Sequence, residues 1–505
     1  MHNHGLGSWM AKRRLKTPNK TAIVHGDSET MTYRELADAA DRTSAVLRQR
    51  DIGKGDRVAY LGGNTPEFFE VLFGAAQLGA VFVPVNTRLA PPEVAHVLAD
   101  SGARAIVVAP EHVVQLAAAG VSVPHVIITG EGTPTQPGFA ALLRTAGEGH
   151  ADEDVTMSDR AAIIYTSGTT GHPKGATLTH ENLTWVALNT VVDYDVVSTD
   201  VALMISPLFH VAALGMGALP VILKGGTLVL ETRFEAGIAL AQIARHGITM
   251  LSGVPTTFEF MCQHADWDST DLTSLTKLTC GGSPVPISVL NAYEDRGMHF
   301  SQGYGMTETS PGATALAPEM TREKQGSVGL AHFFTDVRVA DEHGAMVPRG
   351  TVGEIEISGP NVFAGYHGLP AETAKAFTED GWFRSGDLGY LDRDGYLFIT
   401  GRIKDMIISG GENIYPAEIE ALLDGLDGVT GAAIIGVPDD RWGEVPWAVL
   451  TVRDGAEVDL DAVRAHLEGH LARYKLPKRV VVVDELPRTA TGKVRKADLR
   501  ARFSG

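Results

Sequence analysis

Apolar positions recur at helical spacing from Arg34 to Arg50 and again from Pro66 to Leu78, with the compact apolar run Arg57-Val-Ala-Tyr-Leu-Gly62 between them. Two further short runs follow, Val81-Phe-Val-Pro-Val85 and Ala105-Ile-Val-Val-Ala109, and the second leads into helical spacing over Glu111 to Ala119. Strand-length runs separated by helix-period stretches predict βαβ units and sheets covered on both faces. The Gly-, Pro- and acid-rich stretch from Gly130 to Asp154 reads as a surface connection. A second α/β stretch runs from Ala161 to about Ser310. From Val328 to about Ile399 the texture changes to short strands broken by Gly and Asp, among them Val337-Arg-Val-Ala340 and Gly353-Glu-Ile-Glu-Ile357, as in a small β subdomain. A compact α/β unit of ordinary domain size then runs to the end, so the main boundary is expected at Lys404, between 1–403 and 404–505. The fold class is α/β, with a large N-terminal domain of two α/β sheet subdomains plus the small β subdomain, followed by a small α/β C-terminal domain.

A length of 505 residues suits several globular units. The two cysteines, Cys262 and Cys280, form no disulfide framework and no zinc spacing, which points to a reducing compartment and a cytoplasmic protein. The polar N-terminus lacks a secretory apolar segment, and the longest nearly unbroken apolar run, Val211 to Leu223, is too short to span a bilayer. A net charge of −18 excludes a broad nucleic-acid-binding surface. Between Arg473 and Arg502, however, ten Lys/Arg face three Asp/Glu. That basic end is either a solvated face or a surface that meets phosphates.

Candidate chemistry begins at Tyr165-Thr-Ser-Gly-Thr-Thr-Gly-His-Pro-Lys-Gly175, directly after the apolar run Ala161 to Ile164. Its glycines admit close backbone approach, and Thr166, Ser167, Gly168, Thr169, Thr170 and Lys174 offer donors to phosphate oxygens. A P-loop would need Gly-Lys-Ser/Thr opening a helix, whereas Lys174 lies between Pro173 and Gly175. The string resembles the signature loop of the adenylate-forming superfamily of acyl-CoA synthetases, adenylation domains and luciferases, and further motifs recur in that family's order along essentially the whole chain.

The resemblance implies roles residue by residue. His210, in Pro207-Leu-Phe-His210, would lie beside the acyl carboxylate. Gly281, Gly282 and Ser283 would form the adenine-side loop. In Gln302-Gly303-Tyr304-Gly305-Met306-Thr307-Glu308, Tyr304 would offer a face to adenine, Thr307 a hydroxyl to phosphate and Glu308 an oxygen to Mg2+. Asp387 and Arg402 would hold the ribose, and Lys404 would be the hinge of a mobile C-terminal domain. Ser409, Gly410 and Gly411 would edge the path of the pantetheine thiol. Lys493, in Leu486-Pro-Arg-Thr-Ala-Thr-Gly-Lys493, would be the adenylation lysine. Lys493, His210, Glu308 and Thr166 are thus the expected catalytic groups.

The implied activity joins a carboxylic acid to coenzyme A, using ATP and Mg2+, through an acyl-adenylate. A carrier-protein thiol, an adenylate-only ligase and luciferase-like oxidation share these motifs. The absence of a carrier-like domain after Gly505 and the basic C-terminal end favour free CoA. A non-catalytic nucleotide-binding protein would be expected to have lost Lys493, Glu308 or the loop hydroxyls, and all are present. The expected acyl wall, Ala212, Ala213, Met216, Cys280 and Met306, is uncharged, with no cation for a diacid and no bulky plug to restrict it to acetate. It suits a medium- or long-chain fatty acid or an arylpropenoic acid such as ferulate. The pattern resembles bacterial fatty-acyl-CoA and feruloyl-CoA synthetases, although plant hydroxycinnamate ligases usually carry tyrosine where Ala212 stands. Partners are limited to the small acid and CoA, without nucleic acid, and a homodimer is left open.

Overall fold

The structure is a computed structural model that describes residues 3–26, 29–130, 132–133, 136–147, 153–166, 173–282, 285–409, 412–439, 441–468, 470–488 and 493–503. By packing, the chain divides into two compact units, Met1–Val337 with Ile357–Phe383, and Arg338–Glu356 with Arg384–Gly505. Packing therefore groups 384–402 with the C-terminal residues, whereas the sequence pattern ends the N-terminal domain at 403.

The expected elements of the first unit form close to where their patterns lie: helices Tyr33–Arg48 and Pro66–Gln77, strands Arg57–Leu61, Val81–Pro84 and Ala103–Val108. Local chemistry sets their ends. Thr32 accepts from the Glu35 amide while Glu35 Oε2 accepts from the Thr32 amide at 2.7 Å, a capping box that starts one helix. Pro66 opens the next, where a missing N–H is harmless. One sheet runs in the order Gly365–Tyr366, Lys174–Thr179, Arg160–Thr166, Val81–Pro84, Arg57–Leu61, Ala103–Val108, His125–Ile128. The region 130–154 is not merely a connection: it contains helix Phe139–Thr145, anchored by Phe139 at 1% exposure. At seven residues the helix is too short for its periodicity to show.

The other sheet of this unit carries a parallel run in the order Phe300–Tyr304, Lys277–Gly281, Met250–Gly253, Val201–Met204, Thr227–Leu230, Thr21–His25. From Val201–Met204 the chain passes to one neighbour, Thr227–Leu230, and then crosses back to build Met250–Gly253 and the strands beyond it. The connections thus diverge beside Val201–Met204. Ligands of open α/β sheets bind at such a point, outside the carboxyl ends of the strands. One face of this sheet packs Leu203, Leu251, Leu278 and Phe300 against helices Ala236–His246, Pro255–Cys262 and Ile287–Glu294.

The second unit holds a small β layer ordered Asp336–Ala340, Gly353–Ser358, Phe383–Leu391, Leu397–Arg402. It also holds a sheet in which Gly443–Val452 lies beside Ile407–Ser409, Val429–Asp439 and Arg479–Val482. Its core, Ile407, Ile419, Ile434, Leu450 and Val463 among others, packs helices Pro416–Leu423 and Leu460–Leu467 onto that sheet.

Candidate active site

Strand Arg160–Thr166 delivers the chain to the Ser/Thr/Gly loop, and an antiparallel strand, Lys174–Thr179, carries it away, with Thr166 and Lys174 in register. Return by a strand rather than a helix separates this loop from a P-loop in structure as well as in sequence. Ser167, Gly168, Thr169 and Thr170 lie outside the described residues. Lys174 Nζ is 2.8 Å from Glu372 Oε2 and sits 5.4 Å from the Tyr366 ring centroid. The Tyr366 hydroxyl in turn donates to Glu308 Oε1 at 2.8 Å. Desolvation and then the Glu308 and Glu372 carboxylates hold that phenol well above its ordinary range, so it remains a donor. Lys174, Tyr366, Glu372 and Glu308 are thereby one constellation. Sequence reasoning missed Tyr366 and Glu372, which lie 58 and 198 residues from their partners and carry no motif.

At the carboxyl edge of the parallel sheet, Gly281 pairs with Gly303 and Cys280 with Gln302. Gln302 is buried, and its Oε1 accepts from the Val285 amide at 3.4 Å. Gly282 is described and Ser283 is not. Tyr304 ends the strand, and Gly305, Met306 and Thr307 follow it, half-buried like Tyr304, into the short helical turn Thr307–Thr309 that bears Glu308. Gly305 is needed here, because a Cβ would stand 1.4 Å from the Pro311 carbonyl. Buried Asn361 fastens this loop, donating to the carbonyls of Thr309 at 2.9 Å and Gly312 at 2.6 Å.

His210 follows strand Val201–Met204 at the point where the connections diverge. Buried Asn64 shapes its approach, donating to the Met204 and Ser206 carbonyls at 3.1 and 2.9 Å and accepting from the Leu208 amide at 2.9 Å. Desolvation, with Arg88 adding to it, pulls the His210 imidazole down to about 4, so the ring is neutral at physiological pH. A neutral ring can donate one hydrogen bond to a carboxylate without an ion pair. The chain then enters a π-helical segment, Ala212–Ala218, a geometry rare outside functional sites, and continues as helix Leu219–Lys224. Ala212 is exposed, Ala213 buried and Met216 half-buried.

Cys280 does not join the pocket wall expected of it. It is 3% exposed and packs in the core with Leu278, Phe258 and Tyr293, under the helices on one face of the sheet. The segment bearing Ala213 and Met216 covers the other face, where a Cβ at Gly217 would lie 2.9 Å from Met204 Cε. Strand residues alternate between faces, so Thr279, not Cys280, points to that side. Thr279 Oγ1 lies 2.5 Å from Ser252 Oγ on the neighbouring strand.

Within the second unit, strands Phe383–Leu391 and Leu397–Arg402 set Asp387 opposite Arg402, with Arg402 Nε 2.8 Å from Asp387 Oδ1. Lys493 joins them. Its amine is held below the ordinary lysine range by desolvation, by Arg402 and by Lys404, against the opposing pull of Asp387. The residue as a whole is nonetheless exposed. Lys404 lies in the turn Ile403–Asp405, and Asp405 pairs with Arg500 at 2.8 Å. Ser409 is buried at the end of strand Ile407–Ser409, and Gly410 and Gly411 lie outside the described residues. Much of the basic C-terminal end is already paired: Lys475 with Glu418, Lys496 with Glu420, Arg495 with Asp498. It is therefore less available to phosphates than its charge suggests.

No group of three or more metal-ligating side chains stands together among the described residues. Among the described residues no helix is long and apolar enough to cross a membrane.

The hairpin Arg160–Thr166/Lys174–Thr179, the neutral His210 where the connections diverge, and the Glu308 carboxylate held by Tyr366 all lie in the first unit. Residues 10–367 match the AMP-binding enzyme family and 418–493 its C-terminal domain, and the chain belongs to that family. It is 48% identical to a feruloyl-CoA synthase of Amycolatopsis sp over 503 residues, 100% of both chains. It is 38% identical to the long-chain-fatty-acid–CoA ligase FadD13 of Mycobacterium tuberculosis, over 98% of both. The crystal structure of ATP-bound MatB from Rhodopseudomonas palustris superposes with a TM-score of 0.90 at 33% identity, covering 99% of both chains.

Proposed function

We propose that this chain is an AMP-forming acid–CoA ligase whose acid is an arylpropenoic acid of the ferulate and 4-coumarate kind. Family membership and full-length relatives establish the class, an acid–CoA ligase that uses ATP, Mg2+ and CoA. The likeness to a feruloyl-CoA synthase across every part of both chains supports the choice of acid. The uncharged wall of Ala212, Ala213, Met216 and Met306 is compatible with an aryl ring.

In the first step a carboxylate oxygen attacks the α-phosphorus of ATP, and the bond to the β-phosphate oxygen breaks to release pyrophosphate. His210 donates to the carboxylate, while Thr166, Ser167, Gly168, Thr169, Thr170, Lys174 and Thr307 hold phosphate oxygens. Gly281, Gly282, Ser283, Gln302, Gly303, Tyr304 and Gly305 border adenine, and Asp387 and Arg402 take the ribose. Lys493 neutralises the two anions as they are forced together. Glu308 would hold Mg2+, which when bound would supply further charge neutralisation at the phosphates. In the second step the CoA sulfur attacks the acyl carbon and AMP leaves, the thiol proton passing to solvent. Lys404 is the hinge between 1–403 and 404–505, and Ser409, Gly410 and Gly411 border the thiol's path. Two free cysteines suit a cytoplasmic enzyme.

The test is CoA-dependent AMP formation with single acids: acetate, malonate, octanoate, palmitate, ferulate and 4-coumarate. Ferulate and 4-coumarate should lead. Turnover of octanoate or palmitate with both aryl acids silent would assign a fatty acid instead, and pyrophosphate release without thioester would assign another acceptor.

A further inference from the structure

We propose that His332 is a specificity-determining residue, accepting a hydrogen bond from a para-hydroxyl on the aryl ring of the acid; this rests on the aryl reading above. His332 lies just past strand Ser327–Ala331, and its side chain is fully buried. Nδ1 is 2.5 Å from Asp193 Oδ2, a carboxylate oxygen that also accepts from the Phe333 amide at 3.3 Å. A carboxylate accepts only, so Nδ1 carries a proton, and in the neutral imidazole Nε2 presents its lone pair away from Asp193. Among the described residues that Nε2 is buried and has no hydrogen-bond partner. Buried ring nitrogens in folded proteins are nearly always satisfied, and an orphan calls for a ligand or a water.

Its position says which ligand. A Cβ placed on Gly312 would stand 2.8 Å from His332 Nε2 and 3.3 Å from Met216 Sδ, so these two atoms lie within about 6 Å of each other across a glycine. The π-helical segment presses onto the same loop, since a Cβ on Gly215 would meet the Ser310 carbonyl at 2.3 Å. Behind the imidazole, Tyr194 stacks edge-on at 6.1 Å, and its hydroxyl reaches Gly303. His332 Nε2 thus lies beside Gly312, between the Met216 segment and the loop after Tyr304, at the carboxyl edge of the sheet where the acid is expected. An alkyl chain would leave the lone pair unsatisfied. A phenolic O–H answers it, and a site built around a substrate hydroxyl discriminates strongly against the analogue that lacks it.

The experiment compares kcat/KM for 4-coumarate, cinnamate and 4-methoxycinnamate, the last two having no O–H to donate. The wild-type enzyme should prefer 4-coumarate over both by about 10- to 100-fold, and His332→Phe should collapse that preference. Equal use of 4-coumarate and cinnamate by the wild type, which needs no variant to fold, would overturn the inference while leaving the aryl reading intact. So would a preference that survives His332→Phe. Asp193→Ala probes the positioning residue: without an acceptor at Nδ1 the ring proton is free to move to Nε2, and the preference for 4-coumarate over cinnamate and the methoxy ether should narrow. A preference left unchanged in Asp193→Ala would contradict the role assigned to Asp193. If every aryl acid is silent while octanoate or palmitate is ligated, the aryl reading itself fails and this inference falls with it.

Discussion

Replacing Tyr366 by Phe removes one hydroxyl from the constellation around Glu308 and leaves the rest in place. The ring that faces Lys174 at 5.4 Å is kept, and so is the Lys174–Glu372 pair, so the change isolates the 2.8 Å hydrogen bond to Glu308. A hydrogen bond to a charged group contributes roughly 1.5–3 kcal/mol. Both residues are half-buried, which lets water replace part of the lost interaction and favours the lower end. About 1.4 kcal/mol corresponds to tenfold in rate. Pyrophosphate release, followed at fixed ATP while Mg2+ is varied, should therefore need about tenfold more Mg2+ for half-maximal rate. Thioester formation from supplied acyl-AMP, which uses neither pyrophosphate departure nor Mg2+ at Glu308, should stay within a factor of about two. An unchanged Mg2+ dependence would refute the claim that Tyr366 orients a metal-binding carboxylate. An equal loss in both half-reactions would show damage to the fold instead.

Glu372→Gln should release Lys174 for nucleotide phosphate and lower the KM for ATP by about two- to fivefold at low salt; an unaltered KM would mean the pair does not compete with ATP. Lys493→Ala should lose most pyrophosphate release yet still convert supplied acyl-AMP to thioester. In the wild type, adenylation should decline at a pH below the ordinary lysine range, because desolvation and Arg402 destabilise the ammonium; a limb at the usual lysine pKa would contradict this. His180, wholly buried and accepting from the Leu6 amide at 3.2 Å, is held at about 4 by desolvation. The unfolded chain takes up this proton near 6.5 and the fold resists it, so the stability is complete above that pH and falls away down to about 4, by ~3 kcal/mol. Denaturant midpoints at pH 7 and 4.5 should separate markedly in the wild type and less in His180→Gln; equal separation would rule out His180 as a main source.

What the chain disclosed in advance follows from the range of the forces involved. Strands such as Arg57–Leu61 and Val81–Pro84 lie where their apolar runs end, because burial and turn chemistry are local. The motif residues lie at strand ends for the same reason: Gly, Ser and Thr directly after a buried apolar run mark where the chain leaves the sheet. The side of the sheet that Cys280 faces was not legible. A shift of one residue inverts the faces, and only pairing with Met250–Gly253 and Phe300–Tyr304 sets it. Asn64, Asn361, Tyr366 and His332 were invisible for another reason: each acts through partners far away in sequence, and polar residues of these types are ordinarily solvated. Charge counting misled at the C-terminal end, where Glu418, Glu420 and Asp405 from elsewhere in the unit neutralise the lysines and arginines.

The central claim, that the acid is an arylpropenoate, is tested most directly by competition. Equal concentrations of ferulate, 4-coumarate, octanoate and palmitate are offered together with ATP, Mg2+ and limiting CoA, and the thioesters are counted by mass, which reads the ratio of kcat/KM values in one vessel. The account predicts feruloyl-CoA and 4-coumaroyl-CoA in large excess. A mixture dominated by octanoyl-CoA or palmitoyl-CoA would contradict it.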